Sequence, residues 1–184
     1  MAAHEALSAQ PALSRLSVDL LVSVETTLEY PVETVWPYVL QWKRWVDDYI
    51  EQRIAGTANT EGEIKSISHL DATGRMQSQY FVKLIRVLTH KLLVYKILSP
   101  SYNYDASNGA RSQMALSGYD VFRVRAENGR TVMNLEIYAD MELQNTSETQ
   151  ARDFAQKHQI EAERNWYETY FPRLRLLLSQ SQVS

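Results

Sequence analysis

The sequence predicts an α+β domain in which seven antiparallel strands form one curved sheet around a long C-terminal helix, with two short helices after the first strand. Three observations carry this reading. An alternating apolar segment opens the domain, a series of strand-like segments separated by turn residues follows, and a long amphipathic stripe closes it. With 184 residues, 45% of them hydrophobic, the chain is large enough for one substantial core and short for two. Residues 1–18, rich in alanine and serine and interrupted by Pro11, are read as a flexible or short-helical arm, and 19–180 as the single domain.

From Asp19 to Glu29 the apolar residues Leu20, Val22, Val24 and Leu28 fall on alternate positions, the period of a half-buried strand. Pro31 then opens a helix over Val32–Leu40, where the first turn has no internal N–H bond to lose, and Pro37 shortens or kinks it. A second helical piece, Trp42–Asp48, puts Trp42 and Trp45 on one face as a packed corner. Between Tyr49 and Leu143 six strands are expected, with turns at 59–62, 72–74, 89–90 and 128–129. Asn128-Gly129 is the strongest of these, because a two-residue hairpin turn needs positive φ at both positions. It fixes a register in which Val124, Phe122, Asp120, Gly118 and Leu116 face Met133, Leu135, Ile137, Ala139 and Met141 on the inner side. Tyr119, Val121 and Tyr138 then fall on the outer, more polar side. In the middle strands, Tyr80, Val82, Leu84, Leu93, Tyr95 and Ile97 are assigned inward. Ser147 with Gln150 forms a capping box for the last helix, and its apolar stripe runs Phe154, Ala155, His158, Ala162, Trp166, Tyr170, Leu174, Leu177, Leu178, kinked near Pro172. The stretch 99–113, long for a connection and holding two tyrosines, reads as an irregular lid.

Composition removes several function classes. A net charge of −3 with dispersed lysines and arginines offers no stripe for a nucleic-acid backbone. The absence of cysteine excludes disulfides, thiolate nucleophiles and cysteine metal sites. His4, His69, His90 and His158 are scattered without ligand spacing, so no metal is assigned. No glycine-rich phosphate loop or nucleophile elbow occurs, so no cofactor is expected. No stretch reaches the roughly 18 apolar residues of a membrane span, and no secretory signal opens the chain, so a cytoplasmic protein without membrane insertion is expected.

The run Pro31-Val32-Glu33-Thr34-Val35-Trp36-Pro37, followed by Trp42 and Trp45, resembles the entry motif of the START/Bet v 1-like superfamily, also called SRPBCC or polyketide cyclase/dehydrase and lipid transport. Leu92-Leu93-Val94-Tyr95-Lys96-Ile97 is similar to the strand after that family's mid-sheet hairpin. The resemblance spans most of Asp19 to Ser179 and implies a helix-grip fold with a cavity between the inner sheet face and the last helix. It supplies no catalytic residues, because carriers, aromatase/cyclases and chaperone activators share this frame.

The residues themselves nominate a site. Asp120, turned toward an apolar interior where its pKa is driven up, and His158, on the helix stripe, are the candidate proton-transfer groups. Tyr80, Tyr95, Phe122, Met133, Leu135, Met141, Trp166 and Tyr170 are the candidate ligand-binding side chains. For each an ordinary core role stands beside the functional one. Three functions stay open: a carrier or binding protein for a small hydrophobic or aromatic molecule; a cyclase/aromatase or lyase-type enzyme acting by proton transfer in the same cavity; and a chaperone-activator-like protein using the outer face around Tyr119, Val121 and Tyr138. A homodimer is compatible with all three.

Overall fold

The structure, a computed structural model, describes residues 13–46, 49–70, 73–98, 101–104, 111–115, 117–144 and 147–181; for 13–20, 77–78, 101–104, 111–115 and 141–144 it describes the backbone alone. In chain order the elements are β1 (Leu13–Leu28), α1 (Val32–Leu40), a 3₁₀ turn (Trp42–Arg44), β2 (Tyr49–Ala55), β3 (Ile64–Leu70), β4 (Met76–Leu88), β5 (Leu92–Ile97), β6 (Ser101–Tyr104), β7 (Arg111–Ala115), β8 (Ser117–Glu127), β9 (Arg130–Gln144), α2 (Glu148–Asn165), a π turn (Trp166–Tyr170) and α3 (Phe171–Gln180).

Seven strands form one continuous path, β1-β9-β8-β5-β4-β3-β2, with every pairing antiparallel. This is the seven-stranded sheet read from the sequence. The β8–β9 hairpin carries the expected register, Val124 opposite Met133, Phe122 opposite Leu135 and Asp120 opposite Ile137. It turns on Asn128 and Gly129 at φ 53° and 80°, which their small side chains tolerate. Leu116, expected opposite Met141, lies outside the described residues.

Three elements differ from the expectation. β1 begins at Leu13, six residues early, and pairs with β9 on both sides of a bulge between Val18 and Val22. The bulge explains why alternation alone missed the earlier half: an extra residue breaks the period of two. The second helical piece is a single 3₁₀ turn over Trp42–Arg44, and residues 47–48 lie outside the described residues. The stretch read as a lid is instead strand on both sides, with Tyr102 opposite Gln113 and Tyr104 opposite Arg111, hung from β4 through Ser78 and Gln79. Hydrogen bonding to a neighbouring strand overrode a composition that reads as loop.

The C-terminal helix starts with the capping box, Ser147 Oγ accepting from the Gln150 N–H and Gln150 Oε1 from the Ser147 N–H. Its break falls where Pro172 predicts. A proline ring cannot accommodate the preceding i–4 carbonyl, and the strain is absorbed in a π turn that leads into α3. Phe154, expected on the inward stripe, is exposed instead. Trp166, Phe171, Leu174 and Leu178 hold the buried face beyond it.

Two more contacts position this helix. β1 is the last strand of the sheet, so its outer edge has unpaired backbone groups. The Ser23 N–H donates to Glu163 Oε1 at 3.1 Å and the Glu25 N–H to the Tyr167 hydroxyl at 3.3 Å, so α2 and the π turn cap that edge.

Candidate functional site

The inner sheet face is apolar toward β1, β8 and β9 and polar toward β2–β5. At the apolar end, Phe122, Met133 and Leu135 have no exposed surface, and Trp166 joins them. Trp42 lies 5.0 Å from Phe122 and 6.2 Å from Trp166, ring centre to ring centre, and Trp45 meets Trp166 edge-on at 5.9 Å. Tyr170, half-buried, stands edge-on to Trp166 at 5.1 Å. Aromatic side chains from the 3₁₀ turn, the sheet and the π turn thus pack this end together, as the Trp42/Trp45 spacing implied.

The polar end is built by period-two alternation. Tyr80 on β4 and Tyr95 on β5 point inward and are buried, as are their neighbours Val82, Leu84, Leu93 and Ile97. Tyr95 stands directly across from Asp120 on β8. Asp120 is buried, and burial pushes its carboxyl pKa up, opposed by the ammonium of Lys43. That lysine, from the 3₁₀ turn, is itself buried. Its Nζ donates to the Tyr80 hydroxyl at 2.5 Å and lies 3.5 Å above the Trp42 ring, with the rings of Tyr49 and Tyr80 at 4.9 and 5.2 Å. Aromatic faces and a hydroxyl offset part of the cost of holding a cation away from water.

A second charged group lies beside the first. Lys65 on β3 is buried, pairs with Glu51 on β2, lies 3.7 Å from buried Glu63, and donates to the Tyr95 hydroxyl at 3.3 Å. Burial pulls the Lys65 ammonium down, but Tyr95, Glu51 and Glu63 together leave its pKa raised. Burial likewise pushes the Tyr95 phenol up to about 12, against the opposing pull of Lys65. Tyr95 therefore stands across the ladder from Asp120 and meets Lys65 at its hydroxyl.

Chemically, an ammonium donating to a phenol oxygen makes that O–H a stronger donor, and burial favours the protonated form of the carboxyl, from which it can donate a proton. The arrangement suits a carbonyl, enol or phenol group on an otherwise apolar molecule. Of the two proton-transfer candidates, Asp120 belongs to this cluster. His158 is half-buried on α2, stacked on Phe154 at 6.1 Å, with burial lowering its pKa and Glu161 raising it. Its ring partner Phe154 and its charge partner Glu161 are on its own helix, while Asp120 answers to Lys43. The side chain of Met141 lies outside the described residues.

Sequence reading missed Lys43, Lys65, Glu51 and Glu63. A signal existed for two of them: Lys65 shares the inward phase of Ile67, and Glu51 that of Tyr49. Lys43 had none, because it points inward only in a 3₁₀ turn, where the helical spacing of Trp42 and Trp45 does not apply. On the outer face, Tyr119 is exposed as expected, but Val121 is buried, so the patch proposed there for a protein partner lacks its apolar centre.

No known family's sequence profile matches this chain, and no curated protein matches it. Solved structures do. A solution structure of a protein from Arthrobacter aurescens superposes with a TM-score of 0.57 at 15% identity, covering 86% of this chain and 85% of the other. The Zhui aromatase/cyclase from Streptomyces sp. R1128 gives 0.53 at 11% identity, covering 93% and 94%. Ara h 8.0201 gives 0.50 at 10% identity, covering 92% and 99%. Together with the strand order and the gripped C-terminal helix, these likenesses show that the chain has the START/Bet v 1-like helix-grip fold.

Proposed function

We propose that the protein binds a small, largely aromatic molecule bearing a carbonyl, enol or phenol group, held between the inner sheet face and the C-terminal helix with its polar end at Lys43, Tyr80 and Asp120. The observation that carries this reading is the burial of Lys43 and Asp120 beside the packed aromatic end of the inner face. Buried charges are costly to hold away from water, and apolar residues of equal size often serve stability as well or better. A guest gains affinity from apolar burial, at about 25 cal/mol per Å², and orientation from the polar cluster.

A second reading, proton-transfer catalysis of the cyclase/aromatase kind, is favoured by Asp120. Its raised pKa, opposed by Lys43, is the setting in which a carboxyl exchanges protons with a carbonyl substrate. One neighbour in fold, Zhui, is an aromatase/cyclase, and that activity would reach this chain only through Asp120 and Tyr80.

Isothermal titration of planar phenols, aromatic ketones and polycarbonyl compounds tests the binding site. Lys43→Met or Tyr80→Phe should weaken the best ligand about tenfold, the worth of one buried hydrogen bond. Equal affinity for wild type and both variants would overturn the placement. Asp120→Asn separates the two readings: a carrier keeps its affinity, while an enzyme keeps affinity and loses turnover.

A further inference from the structure

The inner face carries two lysine–tyrosine pairs, and the binding site proposed above uses one of them. Lys43 donates to the Tyr80 hydroxyl, and Lys65 donates to the Tyr95 hydroxyl at 3.3 Å. The two pairs are separate. Leu84, which stands opposite Tyr95, lies four residues along β4 from Tyr80, about 13 Å of extended chain. Beyond burial, the groups acting on the Tyr95 phenol are Lys65, Glu51 and Glu63, whereas the group acting on Asp120 is Lys43.

The local fold holds the second pair in place. Glu51 and the buried Glu63 both face Lys65. Asn59, at φ 57°, donates its N–H to Glu63 Oε2 at 2.8 Å, so the turn from β2 to β3 is shaped around that carboxylate. The Leu84 N–H donates to the Glu63 carbonyl at 2.8 Å and ties the same residue to β4. Two carboxylates thus flank one ammonium.

The consequence falls on Tyr95. An ammonium has donors only, so the phenol oxygen must accept from Lys65, and the hydroxyl hydrogen is left to point elsewhere. Tyr95 is buried, and among the described residues nothing accepts that hydrogen. A buried donor left without an acceptor is costly, and a guest oxygen would remove the cost. The flanking charges select the kind of oxygen. Beside Glu51 and Glu63 a carboxylate would be repelled, while a neutral carbonyl would not.

We propose that Tyr95 is a second anchor of the ligand site, donating to a neutral carbonyl oxygen of the guest, with Lys65 the positioning residue that keeps the Tyr95 hydrogen turned toward it. The guest is then an elongated aromatic molecule with oxygen at both ends, one at Lys43 and Tyr80 and a ketone-like carbonyl at Tyr95. This rests on the placement of the guest proposed above.

Three matched probes test it: para-hydroxybiphenyl carrying an acetyl, an ethyl or a carboxylate group at the far end of the second ring. In isothermal titration the wild-type chain should hold the acetyl compound about tenfold tighter than the ethyl one, the worth of one buried hydrogen bond, and the carboxylate most weakly. Tyr95→Phe, which removes only the hydroxyl, should bring the acetyl-to-ethyl ratio close to one. Lys65→Met should lower that ratio and Lys65→Arg restore it, a rescue specific to a donor at that position. Glu51→Gln should narrow the gap between acetyl and carboxylate. The inference is overturned if the wild-type chain binds the acetyl and ethyl compounds equally, or if Tyr95→Phe keeps the preference. In either case binding of the ethyl compound that weakens in Lys43→Met would leave the first anchor standing. If none of the three compounds binds, the ligand site itself falls, and the second anchor with it.

Discussion

Lys43 donates to the Tyr80 hydroxyl at 2.5 Å from a position over the Trp42 ring, so one buried ammonium joins the 3₁₀ turn to the middle of the sheet. Both the stability of the fold and the chemistry open to it turn on how this charge and Asp120 coexist.

Asp120 makes the first prediction. A carboxyl whose pKa is higher folded than unfolded holds its proton more tightly in the native state. The stability it contributes is therefore fullest below the unfolded value, 3.8, and is lost as pH rises through the folded one. Asp120→Asn keeps the shape and removes that loss. Thermal unfolding should show the variant melting above wild type at pH 7 and level with it near pH 4. The reverse order at pH 7 would mean that the attraction of Lys43 outweighs burial.

Tyr95 and Lys65 act together at the alkaline end. Both have folded pKa values above their unfolded ones, Tyr95 at about 12 against 10.0 and Lys65 above 10.5. Each holds its proton longer in the native state, so their contributions are complete below pH 10 and fall as pH rises beyond it. Denaturant melts should steepen in their pH dependence above pH 10. Tyr95→Phe should flatten that slope while costing about 1 kcal/mol at pH 7 through the lost Lys65 contact.

How much of this was legible in advance varied with the physical signal. Asn128-Gly129 fixed the hairpin that turns Asp120 inward, because turn stereochemistry is local. Ser147 and Gln150 marked the last helix for the same reason. Tyr80 and Tyr95 followed from alternation, although both faces of their strands are apolar. Lys43 did not, since lysine inside a core is settled by tertiary partners that no window of sequence contains. β1 before Val22 was hidden by a bulge, and β6 and β7 by a loop-like composition that pairing overrode.

The aromatic end of the core yields a third prediction. Trp166 contacts Trp42, Trp45, Tyr170 and Phe171 and is nearly inaccessible. Trp166→Ala should cost about 3–5 kcal/mol in urea unfolding, with α3 losing protection from hydrogen exchange before α1. A cost under 1 kcal/mol would mean that the π turn is held elsewhere.

Gly118 gives a fourth. A Cβ there would lie inside the contact radius of the Tyr138 carbonyl oxygen, and backbone atoms cannot turn away as a side chain would. Gly118→Ala should destabilise by about 1–3 kcal/mol, read by thermal melting, whereas Gly129→Ala meets open space and costs only the strain of positive φ.

NMR shift mapping of the isotope-labelled chain, titrated with the same planar phenols and aromatic ketones, tests most directly whether a guest enters between sheet and helix. The account predicts saturable shifts at the amides of Lys43, Tyr80, Tyr95 and Asp120, reduced in Lys43→Met. Shifts confined to exposed residues, or none at saturating ligand, would contradict it.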